Sequence, residues 1–245
     1  MNDNKYLIEI ATSDFITTQS AVEGGADRIE LCANLAEGGV TPSYGYIRKC
    51  RDSFDLTLYP IIRPRGGDFL YTAEEFEIMM HDARLCRQLG CDGVVIGLLN
   101  KDGSIDKART SRLVEAVYPL GVTFHRAFDR CADPMTAMEQ LIEIGCERIL
   151  TSGQKQNALD GAELIAELNR VANGRIIIMP GSGVRKENVK WLAEQTKCTE
   201  FHSSLRSTIA SNMEFVQPAF SGDNDSYTNN AIDVNDIKAL RGALI

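Results

Sequence analysis

Val122-Thr123-Phe124-His125-Arg126-Ala127-Phe128-Asp129 opens as a β-branched and aromatic run, then breaks into His, Arg and Asp just before Asp133-Pro134 starts a helix. Those residue types can move protons and hold a charged substrate, the imidazole and carboxylate doing the first and the guanidinium the second. Other apolar runs carry charge in the same way. Glu9 lies in Leu7-Ile8-Glu9-Ile10, Glu30 lies in Arg28-Ile29-Glu30-Leu31, and Leu58-Tyr59-Pro60-Ile61-Ile62 leads into Arg63-Pro64-Arg65. Strand alternation predicts that Glu9, Glu30, Arg63, Arg65 and His125 share one side, with Ile8, Ile10, Ile29, Leu31, Ile62 and Phe124 on the other. The candidate acid/base groups are therefore Glu9, Glu30, His125 and Asp129, with Arg63, Arg65 and Arg126 as an anion clamp. A purely structural alternative is an internal salt bridge from Glu30 to Arg63 or Arg126, because buried charge needs a partner.

Glycine-containing loops add a second signal. Thr151-Ser152-Gly153 and Gly181-Ser182-Gly183 each follow an apolar run, and short loops of this kind bind phosphate through backbone N–H groups. With His202 at the end of a last short run, they predict a small anionic ligand, phosphorylated or carboxylated. For a soft metal such as Cu(I), which prefers thiolate ligands, Cys32 and Cys131 are the thiols nearest the expected site. Cys91 and Cys146 occupy repeated Gly-Cys-acidic segments that read as packing positions, and His81 lies in mid-helix.

The elements that must position these groups alternate regularly. Eight short apolar runs, each separated from the next by a helical pattern and a few loop residues, predict a (β/α)8 barrel of TIM type. Such a barrel gathers its chemistry at the C-terminal ends of its strands. Thr72 and Glu75 form a capping-box signature for the third helix. The expected organisation is one barrel over residues 1–211, then an extension over 212–245. In that extension Ser221 to Asn230 reads as a linker, and Asp233 caps a helix that folds back or reaches a neighbouring subunit.

The bulk properties narrow the function. The chain has 245 residues, 44% of them hydrophobic, and a formal charge of −8. That acidity argues against nucleic acid as a partner. No apolar run approaches the roughly 18 residues of a membrane span, and the N-terminus has no signal-peptide core. Seven cysteines, an odd number without CxxC spacing, do not form a disulfide framework. The expected location is the cytoplasm.

The segments Gly24 to Cys32, Ile62 to Phe69 (IRPRGGDF), Thr123 to Asp129 (TFHRAFD) and Arg148 to Gly153 resemble the CutC copper-homeostasis family. The resemblance runs from the first strand to the eighth. It implies a cytoplasmic TIM-type barrel, oligomeric (a homodimer or a higher homo-oligomer), that binds copper and serves copper tolerance. Two positions depart from the family pattern. Ala11 and Thr12 stand where a cysteine is frequent, and Gly181-Ser182-Gly183 stands where three glycines are. The residues themselves favour a different activity, a barrel enzyme of lyase or isomerase type in which Glu30 or His125 is the general acid/base and the arginines hold the anion.

Overall fold

A computed structural model describes residues 5–220 and 227–244. The elements alternate as β1 (Leu7–Thr12), α1 (Phe15–Glu23), β2 (Arg28–Leu31), α2 (Tyr44–Ser53), β3 (Thr57–Pro60), α3 (Ala73–Gln88), β4 (Gly93–Ile96), α4 (Lys107–Val117), β5 (Gly121–Phe124), α5 (Pro134–Ile144), β6 (Arg148–Thr151), α6 (Ala162–Ala172), β7 (Ile177–Pro180), α7 (Val189–Thr196) and β8 (Glu200–Ser203). β3-β2-β1-β8 and β4-β5-β6-β7 are two parallel four-stranded arcs. A parallel bridge from Ile61 to Val95 joins β3 to β4, and β7 lies against β8. The arcs thus close into the expected (β/α)8 barrel.

Helix ends follow their capping chemistry. Thr72 accepts from the Glu75 N–H while Glu75 accepts from the Thr72 N–H, which completes the capping box at α3. Asp133 caps α5, whose first residue is Pro134, and Gly145 ends it with a φ of 90°. One helix starts later than its apolar pattern suggests, at Ala162 rather than Leu159. Gly161 there passes so close to the preceding loop that a Cβ on it would lie 1.9 Å from the Ser152 carbonyl oxygen.

Strand alternation sorts the interior into two environments. Ile8, Ile10, Ile29, Leu31, Leu58, Ile62, Val94, Ile96, Val122 and Phe124 face the helices in the main core. Cys32, Tyr59, Ile61 and Val95 form a separate apolar cluster inside the barrel. Below the mouth, the barrel is filled by an ionic layer. Arg28 pairs with Glu9 and Glu200, and Arg148 pairs with Glu200 and Glu147 and donates to Thr123 Oγ1 at 3.1 Å.

The extension is more ordered than its composition suggests. β9 (Arg206–Ala210) pairs antiparallel with β10 (Thr228–Ile232), so a boundary at 211/212 falls inside a hairpin. The expected linker Ser221 to Asn230 lies outside the described residues up to 226, and its end is strand. The final helix, α8 (Val234–Gly242), is capped by Asp233 and folds back on the same chain. Ile237 and Leu240 are buried, and Arg241 donates to the Gly25 carbonyl and Asp27.

Candidate functional site

The C-terminal ends of the strands open into a cavity of about 400 Å³. Glu30, Arg63, Arg126, His125, Ser182, Gly183 and His202 all line it, together with Arg130, Arg185 and Arg206. Register explains the floor. Glu9 stands opposite His202 across β1–β8, and Ala11 stands opposite Glu30 across β1–β2. His202 Nδ1 lies 2.7 Å from Glu9 Oε1, and its Nε2 lies 3.7 Å from Glu30 Oε2. One imidazole therefore stands between two buried carboxyls.

These carboxyls differ in their neighbours. Burial works to raise Glu9, but the Arg28 charge and the His202 hydrogen bond outweigh it and hold Glu9 well below the ordinary carboxylate range. Glu30 has His202 as its ion partner, and no arginine among the described residues pairs with it. Burial, with the Glu9 charge adding to it, pushes Glu30 up to about 7. Burial opposes charge on His202, yet the Glu9 hydrogen bond and the charges of Glu30 and Glu9 raise its pKa. A buried carboxyl that titrates near neutrality at the bottom of a cavity is suited to general acid/base work.

His125 is held in the opposite state. Its Nδ1 accepts from the Ala127 N–H at 3.0 Å, while burial and the nearby Arg63 charge lower its pKa to about 3. Arg63 is 4% exposed and serves the walls of the mouth, donating to the Glu37 and Gly39 carbonyls at 2.8 Å and the Gly67 carbonyl at 2.9 Å. Its guanidinium lies 5.0 Å from the Phe69 ring. Ser182 and Gly183 both have a φ of 74°, a conformation glycine adopts freely and serine does not. The Ser182 hydroxyl donates to the Gln156 carbonyl, and the backbone N–H groups of Ser182 and Gly183 have no acceptor among the described residues. These two free amides belong to residues that share the cavity lining with Arg185 and Arg206.

Several expected site residues have other tasks. Glu9 is fully buried beneath the mouth, where it pairs with Arg28 and His202 and does not line the cavity. Asp129 accepts from Thr151 Oγ1 at 2.5 Å, from the Ser152 N–H at 3.0 Å and from Arg126 Nε at 2.7 Å, so it staples the β5 and β6 loops together. Thr151, Ser152 and Gly153 are thereby turned into this staple and do not line the cavity. Gly181 packs against His202 behind the lining. Arg65 points away from the mouth, bonding Glu75 and Asp68 at the start of α3. Strand alternation ends at Pro60 and the Ile61 bridge, so it no longer governs Arg65.

Cys32 and Cys131 are not brought together. Cys32 belongs to the apolar cluster inside the barrel, whereas Cys131 belongs to the core outside it. Burial and the Glu30 charge push the Cys32 thiol well above its ordinary range, and burial with the Asp129 charge pushes Cys131 up to about 11. No group of three or more His, Cys, Asp and Glu side chains among the described residues is arranged to hold a metal. Copper coordination through these thiols, which needs deprotonated sulfur, does not fit the residues present.

The sequence reading missed Arg28, Arg148 and Glu200 in the ionic layer, and Arg130, Arg185 and Arg206 at the rim. A usable signal existed for the first two. Gly25-Ala26-Asp27-Arg28-Ile29 and Gly145-Cys146-Glu147-Arg148-Ile149 are the same segment, and the alternation that turns Glu30 inward turns Arg28 inward too.

The architecture and the mouth define a (β/α)8 barrel with a buried acid/base cluster inside an arginine-bearing rim. The CutC family model matches residues 6–207, and this chain belongs to the CutC family. It is 48% identical over 242 residues to the CutC family protein of Chromobacterium violaceum, covering 97% of this chain and 98% of the relative. It is 44% identical over 239 residues to the human copper homeostasis protein cutC homolog, covering 97% and 88% of the two chains. The crystal structure of the copper homeostasis protein CutC from Streptococcus agalactiae superimposes with a TM-score of 0.78 at 32% identity, over 81% of this chain and 98% of that one. Phosphoribosyl anthranilate isomerase from Thermococcus kodakaraensis, at a TM-score of 0.58 and 14% identity over 98% of both chains, shares the fold alone.

Proposed function

We propose that the mouth of this barrel binds a small phosphorylated or carboxylated metabolite and carries out proton-transfer chemistry of lyase or isomerase type. Glu30 is the general acid/base, His202 is its proton partner, and Arg185, Arg206 and the Ser182-Gly183 amides hold the anion. The observation that carries this reading is the buried Glu30 carboxyl, 3.7 Å from His202 on the floor of a cavity whose rim bears several arginines, where burial pushes it up to about 7. Arg63 shapes the walls, and Glu9 keeps His202 oriented.

The human relative is named for copper homeostasis, and we carry that role to this protein as a consequence of its metabolite chemistry rather than of a thiolate copper centre. Seven free, buried cysteines suit a reducing compartment, so the cytoplasm is the proposed location. Assembly as a homo-oligomer belongs to the same proposal. A thermal-shift panel of phosphorylated and carboxylated metabolites, run beside competition with a Cu(I) chelator, tests the reading. We expect metabolite stabilisation that Arg185→Ala with Arg206→Ala removes. The reading is overturned by an absence of metabolite shifts together with stoichiometric Cu(I) binding that is lost in Cys32→Ser with Cys131→Ser.

A further inference from the structure

Glu30 and the rim arginines account for a proton and an anion, but they leave His125 without a task. Its ring sits at the end of β5, 4% exposed, and lines the cavity with Glu30 and Phe69. Because Nδ1 accepts the Ala127 N–H, the proton of the neutral ring is on Nε2. That Nε2 is buried and has no hydrogen-bond partner among the described residues. The chain has built a space for the ring, since a Cβ on Gly97 would lie 2.2 Å from His125 Cε1. Phe69, which also lines the cavity, packs on the ring with centroids 5.0 Å apart.

A satisfied structural histidine would use both nitrogens. Here one nitrogen fixes the ring, and the other carries a buried, unpartnered N–H on a ring that lines the cavity. A neutral imidazole gives up that proton far less readily than an imidazolium, so it serves as a hydrogen-bond donor to developing negative charge. Negative charge on oxygen beside a carboxyl base arises when a carbonyl compound is enolised.

We propose that His125 Nε2–H is the oxyanion donor of this site, and that its ligand is a phosphorylated carbonyl compound deprotonated by Glu30 at the carbon next to the carbonyl. The inference rests on the function proposed above and names its substrate class. In the step, the Glu30 carboxylate takes the C–H proton, and the C–H electron pair becomes a carbon–carbon double bond. The carbonyl π pair moves onto oxygen, where His125 holds it. The reverse flow returns the proton from Glu30 to carbon, so no oxidant or reductant is consumed. Phosphate is favoured as the anchoring group because Ser182 and Gly183, whose amides have no acceptor among the described residues, line the same cavity as Arg185 and Arg206, and backbone amides with guanidinium groups suit a tetrahedral anion.

The test compares phosphoglycolohydroxamate, a phosphate carrying an enediolate-like oxygen, with glycerol 3-phosphate, which lacks that oxygen. Calorimetry on the full chain is expected to show the hydroxamate binding at least roughly tenfold tighter, the scale of one preorganised donor. His125→Phe removes that preference and leaves glycerol 3-phosphate binding within about twofold, while His125→Gln, which keeps an N–H, restores part of it. Imidazole ¹⁵N spectra are expected to show a neutral ring protonated on Nε2 from about pH 5 to about pH 9, with the Nε2–H proton moving downfield on hydroxamate binding. Equal affinity for the two probes, or an imidazolium at about pH 6, overturns the oxyanion role. If glycerol 3-phosphate binds in a rim-arginine-dependent way without any hydroxamate preference, the anion site stands and this inference falls. If neither phosphate compound binds, both fall.

Discussion

Gly97 makes room for His125: a Cβ at position 97 would stand 2.2 Å from Cε1 and 2.3 Å from Nδ1 of the imidazole. Gly97→Ala removes no polar atom and adds one methyl, yet it must tilt the ring and stretch its bond from Ala127. We expect a loss of about 1–3 kcal/mol in urea unfolding, the range for overpacking a buried site. An unchanged stability would mean that the ring has slack and is not held in one pose.

The floor of the mouth makes a pH prediction. Glu30 is raised to about 7, so between the unfolded value near 4.5 and about 7 the folded state keeps a proton that the unfolded state has released. Stability therefore falls as pH rises through that window. His202, also raised, adds in the same direction, because its contribution is lost as pH rises through its folded pKa. Glu9, held low, acts only in acid, where its stabilisation disappears as it is protonated. Glu30→Gln should flatten the decline and be more stable than the parent at about pH 8, by on the order of 1–3 kcal/mol. Urea melts at several pH values decide it, and a parent whose stability rises from about pH 5 to about pH 8 would contradict the assignment.

Asp129 should behave as a staple. Asp129→Ala strands the Thr151 hydroxyl and the N–H groups of Ser152 and Gln154, all of which point at one buried carboxylate. The expected cost is about 3–5 kcal/mol. Arg126→Met should cost less than about 1 kcal/mol, because that side chain is 41% exposed and its pairing is screened. Comparable small losses from both variants would return Asp129 to the list of ligand-contacting groups.

Alternation along short apolar runs found the barrel, the two faces of each strand, and the convergence of Glu30, Arg63 and His125. It works because a strand leaves a side chain two choices, and one of them is already filled by isoleucine or phenylalanine. It failed where the strand had ended. Arg65 lies beyond Pro60 and answers to the α3 capping box, and Asp129 lies in a short 3-10 turn (Arg126–Arg130), where most of its partners come from the end of β6 and the loop after it. The separation of Cys32 from Cys131 was equally hidden. Both follow strands, but one is an inward position of the β2 line and the other follows a turn that carries the chain outward to α5. Loop residues take their direction from what packs on them, and that is not local information.

β1 pairs with β2 along one edge and with β8 along the other. On the ribosome the first of these neighbours is made at once and the second comes almost last. Some 190 residues separate the two, which at 5–20 residues per second is on the order of 10–40 seconds of translation. For that interval β1 offers an unpaired edge, and Glu9 lacks the histidine it will orient. A chain that has not yet made β8 therefore has an open sheet edge at β1 and an incomplete mouth.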